Sequence, residues 1–193
     1  DNLVMKAYRL LQSRYPERVK PLEVWLYKKI PMGAGLGGGS ADGAFMLQLM
    51  NDYFDLGLDL PVLADLALQL GSDCPFFMYN TPQFATGRGD EMKPLALDLS
   101  GYRIRLVYPE VHVSTAAAFR MIRPRPAPFD LRTLTELPVA AWRNAVANDF
   151  EDPVFAEHPS LREIKDQLYA QGAVYASMSG SGSALYGIYP AGY

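Results

Sequence analysis

Between positions 31 and 40 the chain reads Pro-Met-Gly-Ala-Gly-Leu-Gly-Gly-Gly-Ser, with five glycines in seven residues at 33, 35, 37, 38 and 39. Few loops tolerate that density, because each glycine costs conformational entropy on folding. What the glycines supply is the absence of side-chain bulk, so that successive backbone N–H groups can turn toward one anion. The flanking patterns fit this use. Leu22 to Tyr27 (LEVWLY) is short, aromatic and alternating, which predicts a strand. Ser40 to Phe54 carries Ala41, Ala44, Phe45, Leu47, Leu49 and Met50 at helical spacing, which predicts a helix whose positive end faces the loop. Strand, glycine loop and helix together describe a phosphate cradle.

Three kinds of phosphate loop compete for these residues. Gly33, Gly35 and Gly38 satisfy G-x-G-x-x-G, but the ribose carboxylate expected about 20 residues further on would be Asp52 or Asp55, both at a helix end. A Walker A loop needs Lys before the Ser/Thr, and Gly39 precedes Ser40. Positive charge must then come from elsewhere, and Lys28 and Lys29 are near in sequence.

Composition narrows the partners. With 49% hydrophobic and 20% charged residues over 193 positions, the chain can bury a sizeable core. A net charge of -3 argues against a polyanion-binding surface, so no nucleic-acid partner is expected and a phosphorylated ligand must occupy a local site. One cysteine, Cys74, excludes an intrachain disulfide framework and cysteine-rich metal clusters, and fits a reducing compartment. The apolar runs fall short of the roughly 20 residues of a membrane helix, so no membrane partner is expected. His112 and His158 have no metal-ligand spacing around them, and no G-x-S-x-G elbow is present. Residue 1 is Asp and the sequence stops at Tyr193 after an apolar run, so a fragment is expected.

Along the rest of the chain, Asp1 to Tyr15 predicts an amphipathic helix capped by Asp1 or Asn2, and Pro61 to Leu70 predicts another, stopped by Gly71. Phe76 to Tyr79, Gln83 to Thr86, Met92 to Leu97 and Tyr102 to Tyr108 read as strands, with a turn at Gly87-Arg-Gly-Asp90. Thr115 to Ile122 favours helix, Arg123 to Asp130 is a proline-rich connector, and Leu131 to Gly172 is helical in pieces. Ala173 to Met178 and Ala184 to Tyr189 read as strands around the loop Ser179 to Ser183 (SGSGS).

The segment PMGAGLGGGSAD (31–42) resembles the second motif of the GHMP kinases, and SGSGSALYG (179–187) resembles their third. Gly71-Ser-Asp-Cys-Pro-Phe-Phe77, Gly87-Arg-Gly-Asp90, Asn148-Asp-Phe-Glu151 and the opening Asp1-Asn2-Leu3 are similar to segments of the branch acting on 4-diphosphocytidyl-2-C-methyl-D-erythritol. The resemblance implies an α+β fold in two lobes, a ribosomal protein S5 domain 2-like nucleotide lobe over 1–86 and a ferredoxin-like substrate lobe over 87–193. It implies phosphoryl transfer from ATP, with Mg2+, to the 2-hydroxyl of that small molecule in non-mevalonate isoprenoid synthesis, in the bacterial cytoplasm. Another kinase of this type, a non-catalytic nucleotide-binding relative, and a dinucleotide-dependent oxidoreductase stand as alternatives. Oligomeric state is left open.

The resemblance also assigns residues. Asp73 matches the catalytic base. Asn2 and Lys28 match the adenosine pocket, and Pro31, Gly33, Gly35, Leu36, Gly37, Gly38, Gly39 and Ser40 match the loop around the triphosphate, with Ser40 nearest the metal. Thr115 and Phe119 match a polar contact and an aromatic that stacks on cytosine, while Gly180, Ser181 and Gly182 match the approach to the bound diphosphates. A catalytic lysine and an aromatic-histidine pair are implied upstream of Asp1. From the residues alone, Asp73 reads as a cap or turn residue and Phe119 as a core residue, and Ser181 fits a tight turn as well.

Overall fold

The computed structural model describes residues 2–123 and 126–192. Asp1, and Pro124 and Arg125 of the connector, lie outside the described residues. The chain divides into two compact units, the first comprising 1–30 with 37–95 and the second 31–36 with 96–193.

The first unit contains four helices among its described residues: α1 (Leu3–Arg14), α2 (Gly38–Tyr53), α3 (Leu60–Leu70) and α4 (Cys74–Tyr79). A hairpin of β1 (Gln83–Thr86) and β2 (Glu91–Pro94) follows, antiparallel with Gln83 opposite Pro94 and Thr86 opposite Glu91. The cap of α1 is Asn2, whose side-chain oxygen accepts from Val4 N at 2.9 Å. Asp59 caps α3 in the same way, with Pro61 in the first turn. Apolar positions one helical turn apart then meet: Ala7 and Leu11 of α1, Leu47 and Met50 of α2, and Leu63, Leu66 and Ala67 of α3 form one buried cluster with Cys74 and Met78 of α4. Full burial of a leucine such as Leu47 stabilises by about 1.5–3 kcal/mol.

Two expectations fail here. Residues 22–27 form no strand, since a strand needs a neighbour to take its backbone hydrogen bonds and no described residue pairs with this segment. It has no regular secondary structure, and Trp25 and Tyr27 are exposed. Phe76 to Tyr79 is helix, not strand: Pro75 occupies the first turn, and Cys74 and Met78, four apart, are buried together.

The second unit is built on an antiparallel sheet in the order β3 (Tyr102–Val107), β5 (Leu185–Pro190), β4 (Tyr175–Met178). Tyr102 pairs with Pro190 and Val107 with Leu185, while Tyr175 pairs with Ile188 and Met178 with Leu185. Its helices are α5 (Thr115–Met121), α6 (Trp142–Ala145), α7 (Glu151–Glu157) and α8 (Pro159–Ala170), with 3-10 turns at Leu131–Glu136 and Val139–Ala141. Val154 and Phe155 of α7 and Leu161 and Leu168 of α8 pack with Ala176, Met178, Leu185 and Tyr189 in the second core. No helix among the described residues is long and apolar enough to cross a membrane.

Candidate active site

In the first unit, α2 opens at Gly37, which holds φ +65, a left-handed conformation, and provides no side-chain cap. The helix therefore presents bare N–H groups at its positive end. A Cβ at Gly37 would stand 2.9 Å from Phe77 Cζ, so the glycine also lets the start of α2 pack against the Phe77 ring of α4. Lys28 reaches the same mouth: its Nζ lies 3.6 Å from where a Cβ on Gly38 would be, and it is ion-paired with Asp42, both side chains about three-quarters buried (26% and 24% exposed). A lysine of the preceding segment thus stands at the mouth of the helix. Asp42, one turn into α2, is a partner that sequence spacing did not single out.

Ser40, in the first turn of α2, stands beside the thiol of Cys74. Burial pushes that thiol above its ordinary value, outweighing the opposite pull of Ser40, and neighbouring Asp73 adds to the rise. Asp73 occupies the cap position of α4, yet its side chain makes no capping bond; Ser72 Oγ donates to its Oδ1 at 3.4 Å. It is exposed rather than partly buried, because Cys74 and Pro75 turn inward and leave residue 73 outside. Gly89 of the Gly-Arg-Gly-Asp turn packs beside it, a Cβ there falling 4.0 Å from Asp73 Oδ1. The glycines at 37–39, the Gly-Ser-Asp segment and the Gly-Arg-Gly-Asp turn, far apart in sequence, belong to one unit. Asn2, in contrast, spends its side-chain oxygen on capping α1.

In the second unit, residues 31–36 are stitched to the SGSGS loop. Ser179 Oγ donates to Gly35 O at 2.8 Å, and Ala184 N donates to Ala34 O at 3.0 Å. Gly35 has φ +74, and a Cβ on it would overlap the Ser179 carbonyl oxygen. A Cβ on Gly180 would come within 3.3 Å of Gly35 O. Ser181 Oγ donates to Thr115 Oγ1 at 3.1 Å, bringing together two expected substrate contacts 66 positions apart. Phe119 is not core: it is 62% exposed, its ring edge-on to Phe150 at 4.9 Å. His112 lies over Gly33, a Cβ there meeting its Cε1 at 3.7 Å. Pro31 and Leu36 are half-buried in the loop, and Gly39 is open.

Comparison with known proteins shows the family and the fold. Residues 2–81 match the GHMP kinases N terminal domain and residues 130–192 the GHMP kinases C terminal domain. A Bacteroides thetaiotaomicron protein described as 4-diphosphocytidyl-2-C-methyl-D-erythritol kinase is 50% identical over 189 residues, 98% of this chain and 68% of that protein. The chain belongs to the GHMP kinases. It is therefore a phosphotransferase in class, and the GHMP kinase fold extends over nearly its whole length. A crystal structure of 4-(cytidine 5'-diphospho)-2C-methyl-D-erythritol kinase superposes with a TM-score of 0.84 at 32% identity, covering 97% of this chain and 69% of that one. A homoserine kinase from Cytophaga hutchinsonii, 16% identical with a TM-score of 0.61 over 98% of this chain and 66% of its own, shares the GHMP kinase fold.

Proposed function

We propose that this chain phosphorylates the 2-hydroxyl of 4-diphosphocytidyl-2-C-methyl-D-erythritol with ATP as donor, in the bacterial cytoplasm and within isoprenoid synthesis. The observation that carries it is the convergence, in the first unit, of a glycine-opened helix mouth, a lysine ammonium and an exposed aspartate that caps nothing. Phosphoryl transfer to an alcohol asks for those three things: donors to position the phosphates, positive charge to offset theirs, and a carboxylate to take the hydroxyl proton. The amides at Gly37 to Ser40 would hold the phosphates, Lys28 would offset their charge beside the adenosine, and Asp73 would accept the proton as the oxygen attacks the γ-phosphorus in line. Asn2 would line the adenosine pocket. Thr115, Ser181 and the glycines around it would meet the cytidine-diphosphate end of the substrate, with the open face of Phe119 stacking on the base.

Magnesium fits as an ion carried on the nucleotide. No group of three or more His, Cys, Asp or Glu side chains among the described residues forms a metal cage, and Ser40 offers one hydroxyl at the helix mouth. Bound there, the ion would neutralise charge developing on the phosphate oxygens.

The test is Asp73→Asn under single-turnover conditions with the cytidine-diphosphate substrate. Phosphoryl transfer should fall by about 10²- to 10⁴-fold with ATP affinity and melting temperature unchanged. Full activity in a folded, ATP-binding variant would remove Asp73 from the chemistry.

A further inference from the structure

The segment Asn148-Asp-Phe-Glu151 was singled out in the sequence, yet none of the roles above uses it. In the structure it grips the SGSGS loop from behind. Asn148 Nδ2 donates to two carbonyl oxygens, Met178 at 2.9 Å and Gly180 at 2.7 Å, while its Oδ1 accepts from Phe150 N at 2.9 Å. Glu151, buried, accepts through Oε1 from Met178 N at 2.8 Å and from Ser177 Oγ at 3.1 Å. The segment thus binds Met178 on both its N–H and its C=O and reaches past it to Gly180.

That grip passes on to the phosphate loop. Ser179 and Ala184, which bracket the SGSGS turn, bond to Gly35 and Ala34, so the register of 34–35 is set by where 179–184 lies. Backbone-to-backbone packing at Gly35 and Gly180 leaves no side chain to absorb a shift. Asn148 is suited to this: one amide nitrogen reaches two carbonyl oxygens, and its own oxygen is locked by Phe150 N, which fixes which way the amide points. We propose that Asn148 is a positioning residue for phosphoryl transfer, fixing the SGSGS turn and through it residues 34–35 of the glycine loop. This rests on the kinase reading above.

Asn148→Asp keeps the acceptor for Phe150 N but replaces both donated bonds with a carboxylate facing carbonyl oxygens. Two measurements on the variant separate positioning from simple stability. The amides of Ala184 and Gly182 should exchange with solvent at least ~10-fold faster, while that of Val174, bonded to Ile188 O in the same sheet, keeps its rate. The kcat per folded molecule should fall about 10- to 100-fold, the range expected from misplacing a reacting group. Leu161→Ala, a core change away from the loop, should lower the melting temperature without changing kcat per folded molecule. If Asn148→Asp does not fold, Ser179→Ala tests the same chain of contacts at its last link and should also lower kcat. Wild-type exchange at Ala184 in Asn148→Asp, or wild-type kcat in either variant, overturns the proposal. Absence of phosphoryl transfer in the unaltered full-length protein would instead overturn the kinase reading, with the exchange measurement still deciding whether Asn148 holds the turn.

Discussion

The Ser179 hydroxyl donates to the Gly35 carbonyl oxygen at 2.8 Å across 144 positions of sequence. Residues 31–36 of the first glycine motif and the SGSGS loop are therefore one structural feature of the second unit. This bond also explains why position 35 must be glycine: its φ is +74, and a β-carbon would occupy the place of the Ser179 carbonyl.

Gly35→Ala should then cost more than the about 1–3 kcal/mol of a strained left-handed residue, because backbone on the facing loop must also move. A thermal melt will show the loss, and binding of a non-hydrolysable ATP analogue should weaken with it. Gly39→Ala, where a β-carbon meets nothing within 4 Å, should be tolerated in the same melt.

Lys165 donates to the buried Glu151 at 2.5 Å. Lys165→Met strands a carboxylate that Met178 N and Ser177 only partly satisfy, and should destabilise by about 3 kcal/mol, the lower end for breaking a buried pair. Adding Glu151→Gln to Lys165→Met should recover most of that loss. Chemical denaturation of the single and double variants measures both.

Ser183 is fully buried, and among the described residues its hydroxyl has no hydrogen-bond partner. Removing an unsatisfied hydroxyl relieves a desolvation penalty of about 1–3 kcal/mol, offset in part by the small void left. Ser183→Ala should therefore be neutral or stabilising in a denaturant melt; a clear loss of stability would mean the hydroxyl is satisfied in solution.

Tyr175 and Tyr186 face one another at 6.1 Å on neighbouring strands, and burial raises both phenols above the ordinary value of 10.0. The raised folded-state values mean that this contribution to stability is complete below pH 10 and is lost as pH climbs beyond it, since the unfolded chain releases those protons first. Absorbance of tyrosinate at 295 nm should show two phenols ionising only together with alkaline unfolding. Tyr175→Phe should push that unfolding to higher pH.

Much of the fold follows from local pattern. The helices α1 and α3 appear where apolar residues recur every three or four positions behind a cap or a first-turn proline, and α2 where they recur behind the glycine run, because helical hydrogen bonds close within one segment. The hairpin at Gln83–Thr86 and the strand at Tyr102–Val107 are likewise legible from alternation and turn glycines. Ser181 lies in the SGSGS motif and Thr115 is assigned by the family resemblance, although only folding places their hydroxyls 3.1 Å apart.

Tertiary structure decided what depends on a partner. The segment 22–27 has the residues of a strand, but pairing is a property of two segments, and no described residue supplies the second. Residues 76–79 look equally apolar as strand or helix over so short a run, and the shared burial of Cys74 and Met78 selects helix. The same holds around the site. Glycine density marked the loop, whereas the pairing of Lys28 with Asp42, the lack of any capping bond at Asp73 and the hold of Asn148 on Met178 and Gly180 needed the folded chain. Those contacts join positions 14 to 32 residues apart or leave a side chain out of its usual local bond, and sequence spacing carries no information about distances through space.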